Sequence, residues 1–180
     1  MTARPNLRYA LPATSAHAGV LDQEPLFLPS ILGPEEAMAR APAFAPLITL
    51  WCDRRGDSHA PCWRQMDFQD FLGWHPDLVL SAFEGDEPDP LFRLVGETFS
   101  AMTGAPMKGK RFSAFSRELY DGGMREHFRK LRETAGIGLG QGRVATPGRD
   151  HLGLQVLELP FCDGGERIER LVHVVKPIPL

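Results

Sequence analysis

Cysteine, asparagine and tyrosine are scarce in these 180 residues, and neither a long apolar run nor an excess of one charge occurs. The three cysteines, Cys52, Cys62 and Cys162, are odd in number and lack CxxC spacing. That argues against a zinc or other metal site and against the disulfide scaffold of a small secreted protein, and it suits a reducing compartment. No stretch approaches the roughly 20 apolar residues that span a bilayer. Arg4 and Arg8 open the chain, but Pro5, Pro12, Ser15, His17 and Asp22 interrupt any apolar core of signal-peptide length. The expectation is a cytoplasmic protein. Its 20 basic and 23 acidic residues leave a net charge of -3, too little to draw nucleic acid or an anionic membrane. Neither is an expected partner.

The usual catalytic signatures are missing too: there is no GxSxG elbow, HExxH pair, P-loop or dinucleotide fingerprint. The six histidines, at positions 17, 59, 75, 127, 151 and 173, are scattered. Gly138-Leu139-Gly140-Gln141-Gly142 has the look of a phosphate cradle. It precedes a strand, however, whereas a phosphate motif opens a helix and presents that helix's N–H groups. The run is therefore expected to be a flexible connection.

What the chain does have is 43% hydrophobic residues, enough for one domain with a proper core. Residues 1–41 follow neither helical nor strand periodicity and are expected to form a flexible arm, with a sticky cluster at Leu26, Phe27, Leu28, Ile31 and Leu32. From Pro42 the pattern sharpens. Phe44, Leu47, Ile48 and Trp51 fall at i, i+3, i+4 and i+7, which predicts an amphipathic helix over about 42–55, capped by Gly56. Asp67 caps a short helix holding Phe68, Phe71 and Leu72. The period then changes: residues 78–83 and 90–95 flank an acidic turn and predict a hairpin.

Short helical pieces follow at 97–102 and around Phe112, Phe115 and Leu119. A longer helix has Tyr120, Met124, Phe128 and Leu131 on one face, and it starts after Gly122 and Gly123 if those glycines weaken its first turn. Three strands close the chain, over 142–146, 152–161 and 168–175. Within the second of these the apolar phase slips from Leu154 and Val156 to Leu157, Leu159 and Phe161, which suggests a bulge. The order predicts an α+β domain: a five-stranded antiparallel sheet with helices inserted between strands 2 and 3, and an N-terminal amphipathic helix. The domain is expected over 42–176, with a tail at 177–180.

Several phrases carry a resemblance to a family of short, stand-alone bacterial PAS proteins. They are Leu50-Trp51-Cys52-Asp53-Arg54-Arg55-Gly56, Pro61, Met66-Asp67-Phe68, Phe92-Arg93-Leu94-Val95-Gly96-Glu97, Gly104, Gly109, and Leu157-Glu158-Leu159-Pro160 with Asp163-Gly164. The resemblance implies the PAS fold and a regulatory sensor or interaction module without an output domain of its own, coupling a small ligand or a protein partner to signalling. No enzyme is implied.

It also implies an interior pocket, for which Phe92, Leu94, Phe99, Met102, Phe112, Phe115, Met124 and Phe128 are the expected apolar lining and Arg143 a polar contact; the plainer alternative is that these side chains simply fill the core. Arg93 and Arg143 are polar strand residues, each expected either in solvent, the commoner place, or reaching into the pocket as an anion anchor. PAS domains often pair through a segment N-terminal to the core, so Phe44, Leu47, Ile48 and Trp51 are the expected homodimer interface, the same stripe being equally suited to covering the chain's own sheet.

Haem-binding relatives take their iron ligand from the long helix, which singles out His127. The residue lies beside the apolar face and not at its centre, and a partly exposed histidine on a basic helix is the commoner arrangement. A flavin photosensor would need a cysteine near the short helices or a set of amide side chains, and Asn6 is the chain's single asparagine. Two other readings stand beside the sensor: a docking domain with a self-filled core, and a small α+β enzyme. The enzyme requires an acid–base pair inside the pocket, and no strand position clearly supplies one. Ionisable groups converging in the interior would overturn the non-catalytic reading.

Overall fold

The computed structural model describes residues 27–180, whose apolar alternations pair into one antiparallel sheet. Its strands are β1 (Phe27–Leu32), β2 (Leu78–Ala82), β3 (Leu91–Val95), β4 (Ile137–Arg143), β5 (Gly153–Cys162) and β6 (Ile168–Ile178), in the order β1-β4-β5-β6-β2-β3. The helices are α1 (Pro34–Arg40), α2 (Ala45–Arg55), α3 (Glu97–Thr103), α4 (Phe112–Phe115), α5 (Arg117–Leu119) and α6 (Arg125–Thr134). The α+β class and the placement of the inserted helices between β3 and β4 follow the sequence reading. Among the described residues no helix is long and apolar enough to cross a membrane.

The sheet has six strands where five were expected, because the presumed arm supplies one of them. β1 pairs with β4 from Phe27 opposite Gly142 to Leu32 opposite Ile137. Alternation fails there because Pro29 and Ser30 interrupt it, and a proline is tolerated in an edge strand, where its missing N–H need not join a second ladder. α1 follows, with Ala37 fully buried. The ordered domain therefore reaches back past residue 42, while residues 1–26, including Leu26, lie outside the described residues. At the other end β6 continues into the expected tail, with Pro177 opposite Leu154.

The expected dimer stripe is also used differently. Phe44, Leu47, Ile48 and Trp51 are each at most 2% exposed and share one core cluster with Leu157, Leu159, Val172 and Val174. The Trp51 indole N–H donates to the Pro160 carbonyl of β5 at 2.8 Å, fixing α2 across the chain's own sheet. These four side chains have no surface left for a second copy.

Two strands depart from their expected pattern for physical reasons. β5 contains no bulge between Val156 and Leu157: its pairing with β6 is continuous from Gly153 to Phe161 and shifts only before Cys162. Both faces of the strand are buried, so both parities are apolar and the sequence shows a change of phase that the backbone does not make. The glycine run at 138–142 is not a flexible connection but the body of β4, paired with β1 on one side and β5 on the other. The strand expected over 142–146 thus lies five residues earlier, starting at Ile137.

The turn before α6 is explained by its glycines. Tyr120–Met124 forms a wide helical turn in which Gly123 takes φ 146° and ψ -21°, a conformation poorly accessible to a residue with a Cβ. α6 then begins at Arg125, after both glycines.

Candidate functional site

Residues opposite one another in a sheet point to the same face. Val79 and Glu158 are each opposite His173 from neighbouring strands, and Val156 is opposite Val175. These side chains share one face, and Phe99, Phe112, Phe115 and Met124 from the inserted helical region close over them, leaving a cavity of about 60 Å³. Aromatic rings set its walls: Phe92 lies 6.0 Å from Phe99, and Phe99 meets Phe115 edge-on at 5.7 Å.

Of the expected pocket residues, Phe92, Phe99, Phe112, Phe115, Met124 and Arg143 line this cavity. Leu94, Met102 and Phe128 do not. The pairing of β2 with β3 shifts between Leu80 and Ser81, so that Leu94 faces Leu80 but Phe92 faces Ser81. Arg93 is the extra residue of this bulge, and it turns Leu94 to the opposite face from Phe92. Arg93 itself is exposed and paired with Glu84. Met102 is buried in the cluster around Phe92 without reaching the cavity. Phe128 belongs to the larger core, 5.0 Å from Phe112 and 6.3 Å from Phe83. Arg143 is exposed, with its guanidinium donating to the Asp150 carbonyl at 3.4 Å.

Beneath the apolar walls runs a chain of polar side chains that sequence reasoning missed. Ser81, His127, Glu158 and His173 are all less than 7% exposed. The Ser81 hydroxyl lies 2.7 Å from His173 Nε2, His173 Nδ1 lies 3.2 Å from Glu158 Oε1, and His127 Nε2 is bonded to Glu158 Oε2. Burial pushes the Glu158 carboxyl up, but the charge and hydrogen bond of His127, and then those of His173, outweigh it and hold the group well below its ordinary range. An ionised carboxylate only accepts, so His127 Nε2 and His173 Nδ1 both donate to it. The remaining ring nitrogen of His173, Nε2, has the Ser81 hydroxyl as its hydrogen-bond partner.

Glu158 and His173 both line the cavity. Three expectations are corrected here: strand positions do bring a base and an imidazole into the interior, His127 is buried instead of partly exposed, and the interior convergence of ionisable groups that counts against a purely non-catalytic reading is present. The missed signal was parity. Leu154, Val156 and Glu158 alternate along β5, so Glu158 had to face the same side as its apolar neighbours.

Room for the carboxylate comes from β4. Gly138 lies opposite Glu158, and a Cβ on it would run into the Glu158 side chain; one on Gly140 would run into the Phe27 ring. On its outer side His127 borders a surface groove with Pro29, Ile31, Gly123, Glu126 and Lys130. His127 thus connects the buried carboxylate to the protein surface.

This geometry does not suit haem at His127, because the Nε2 that would bind iron is bonded to Glu158. The cavity is also far below the roughly 300 Å³ at which drug-sized ligand pockets begin. None of the three cysteines lines it.

Hydroxyl, imidazole and carboxylate stand here in the order used to activate a serine nucleophile. Ser81, however, is 2% exposed and does not line the cavity.

No protein-family model matches the chain, and no curated protein matches it in sequence. Among solved structures, one with partial similarity is an RNA-binding Light-Oxygen-Voltage receptor, at 13% identity and a TM-score of 0.45 over 64% of this chain. The match spans 35% of that receptor.

Proposed function

We propose that this chain is a PAS-type sensory module whose cavity takes up a small, mainly apolar ligand and passes its occupancy to a protein partner through surface contacts. The observation that carries this reading is the cavity itself: phenylalanine and methionine walls over a floor that includes Glu158 and His173. Such walls adapt to a ligand without losing hydrogen bonds. The polar chain below is occupied with itself, since each Glu158 oxygen holds one imidazole and His173 uses both ring nitrogens. That arrangement supports a stiff floor more than a proton-transfer centre.

Native mass spectrometry of the freshly purified chain tests the reading, with a Val79→Phe variant designed to fill the cavity. An added small mass on the wild type that the variant lacks is the expected result. A bare wild-type chain that also takes up no member of a small-molecule library would sink the proposal.

The placement of Glu158 and His173 on the cavity floor also favours a second reading, a small acid–base enzyme. The two part on turnover. A sensor returns its ligand unchanged, whereas an enzyme converts it and loses that conversion in Glu158→Gln while retaining binding.

A further inference from the structure

Cys62 and Cys162, far apart in sequence, are brought together at the end of β5. Their backbones form an isolated parallel bridge, and the Cys162 N–H donates to the Pro61 carbonyl at 3.1 Å. The Cys162 thiol sits 3.4 Å from that same carbonyl. Burial raises the Cys162 thiol, and the Cys62 thiol adds to the rise. Both residues line a surface hollow together with Arg54, Asp57, His59 and Glu166. Cys62 is half-buried and reachable from this hollow, while Cys162 is buried behind it. Cys52, also half-buried, is not part of the hollow.

We propose that Cys62 and Cys162 are a reversible thiol pair, closed into an intramolecular disulfide by a small-molecule disulfide of the glutathione class. The Cys62 thiolate attacks glutathione disulfide, forming a mixed disulfide and releasing one glutathione thiolate. The Cys162 thiolate then attacks the Cys62 sulfur, the protein disulfide forms, and a second glutathione leaves. The two protons given up by the cysteines end on the two glutathiones, and the electrons lost by the protein reduce the reagent. The bond fastens the segment after α2 to the end of β5. That segment already leans there through Trp63, edge-on to Phe161 at 5.5 Å, and through the Arg64–Asp163 ion pair.

The test is equilibration of the full chain in glutathione buffers of graded oxidised fraction, followed by acid quenching, alkylation and peptide mass mapping. The expected product has lost two hydrogens, contains a Cys62–Cys162 linked peptide, and keeps Cys52 alkylated. Its thermal midpoint lies about 5–10 °C above that of the reduced chain, because the bond closes a long loop. Cys162→Ser should stop at a glutathione adduct on Cys62, and Cys62→Ser should give no internal bond. Wild-type protein that halts at the mixed disulfide, links between molecules, or keeps both thiols free under oxidising buffer would overturn the proposal.

Discussion

Gly138 and Glu158 face each other across β4 and β5, and the space left by the missing Cβ of the glycine is filled by the glutamate side chain. A sequence feature that suggests looseness is thus what lets a carboxylate lie flat inside the sheet. Gly138→Ala should push Glu158 off its two imidazoles and cost about 1–3 kcal/mol, the usual penalty of overpacking. Urea denaturation of the two proteins measures it. Equal stability would mean the carboxylate has another place to go.

Acid should expose the same group. In the folded chain Glu158 is lowered from an ordinary 4.5 to about 2, because His127 and His173 outweigh the cost of its burial. A depressed carboxyl stabilises the fold fully above its unfolded value, and that contribution disappears as pH falls through the folded one. Between these two values the urea midpoint of the wild type should drop more steeply than that of Glu158→Gln. Parallel slopes would contradict the assignment.

Alkali gives an independent check on the helical insert. Burial, then the hydrogen bond to Glu87, raises the Tyr120 hydroxyl to about 12. A raised value means stability that is complete below the ordinary 10 and lost as pH climbs through 12. Ultraviolet titration should show one tyrosine ionising late, and Tyr120→Phe should remove it.

Trp51→Glu should not yield folded monomers. The indole is 1% exposed and bonded to Pro160. Losing a buried tryptophan costs about 3–5 kcal/mol, and burying an unpaired carboxylate costs more. Against a typical total of about 5–15 kcal/mol, most of the folded population should vanish. Circular dichroism checks this, and a fully folded variant with altered sedimentation would restore the interface role.

Gly123→Ala places a Cβ at φ 146°, a strain of about 1–3 kcal/mol. The midpoint of thermal unfolding should fall, and Gly122→Ala, at a negative φ, should cost less.

Much of the fold was legible in local pattern. The hairpin of β2 and β3, the glycine stop at Gly104 after α3 and the stripe of α2 all follow from spacing, and the last two are seen with Gly104 at φ 65° and the stripe buried. β1 was not legible, because Pro29 breaks its alternation and its partner is more than a hundred residues away. Of the nine expected cavity residues six line it, five of them legible from apolar content and the sixth, Arg143, from its place as a polar strand residue. Leu94 could not be placed correctly, since the bulge at Arg93 inverts its facing. The polar chain stayed hidden for a different reason: Glu158 and His173 sit in runs buried on both faces, so the parity that sets Glu158 with Leu154 and Val156 does not stand out against the apolar residues between them. That α6 brings His127 onto Glu158 depends on a helix–sheet approach that no local signal encodes.

The central claim is that the cavity receives a ligand and that its occupancy reaches the surface, for which the His127 ring, bonded to Glu158 and bordering a surface groove, is the nearest reporter. Side-chain NMR during titration with a small apolar compound library tests it most directly, following the Val79, Val156 and Val175 methyls together with the His127 ring. The account predicts saturable shifts at the methyls accompanied by a shift at His127, both absent in Val79→Phe. Shifts confined to surface residues, or methyl shifts that leave His127 unmoved, would contradict it.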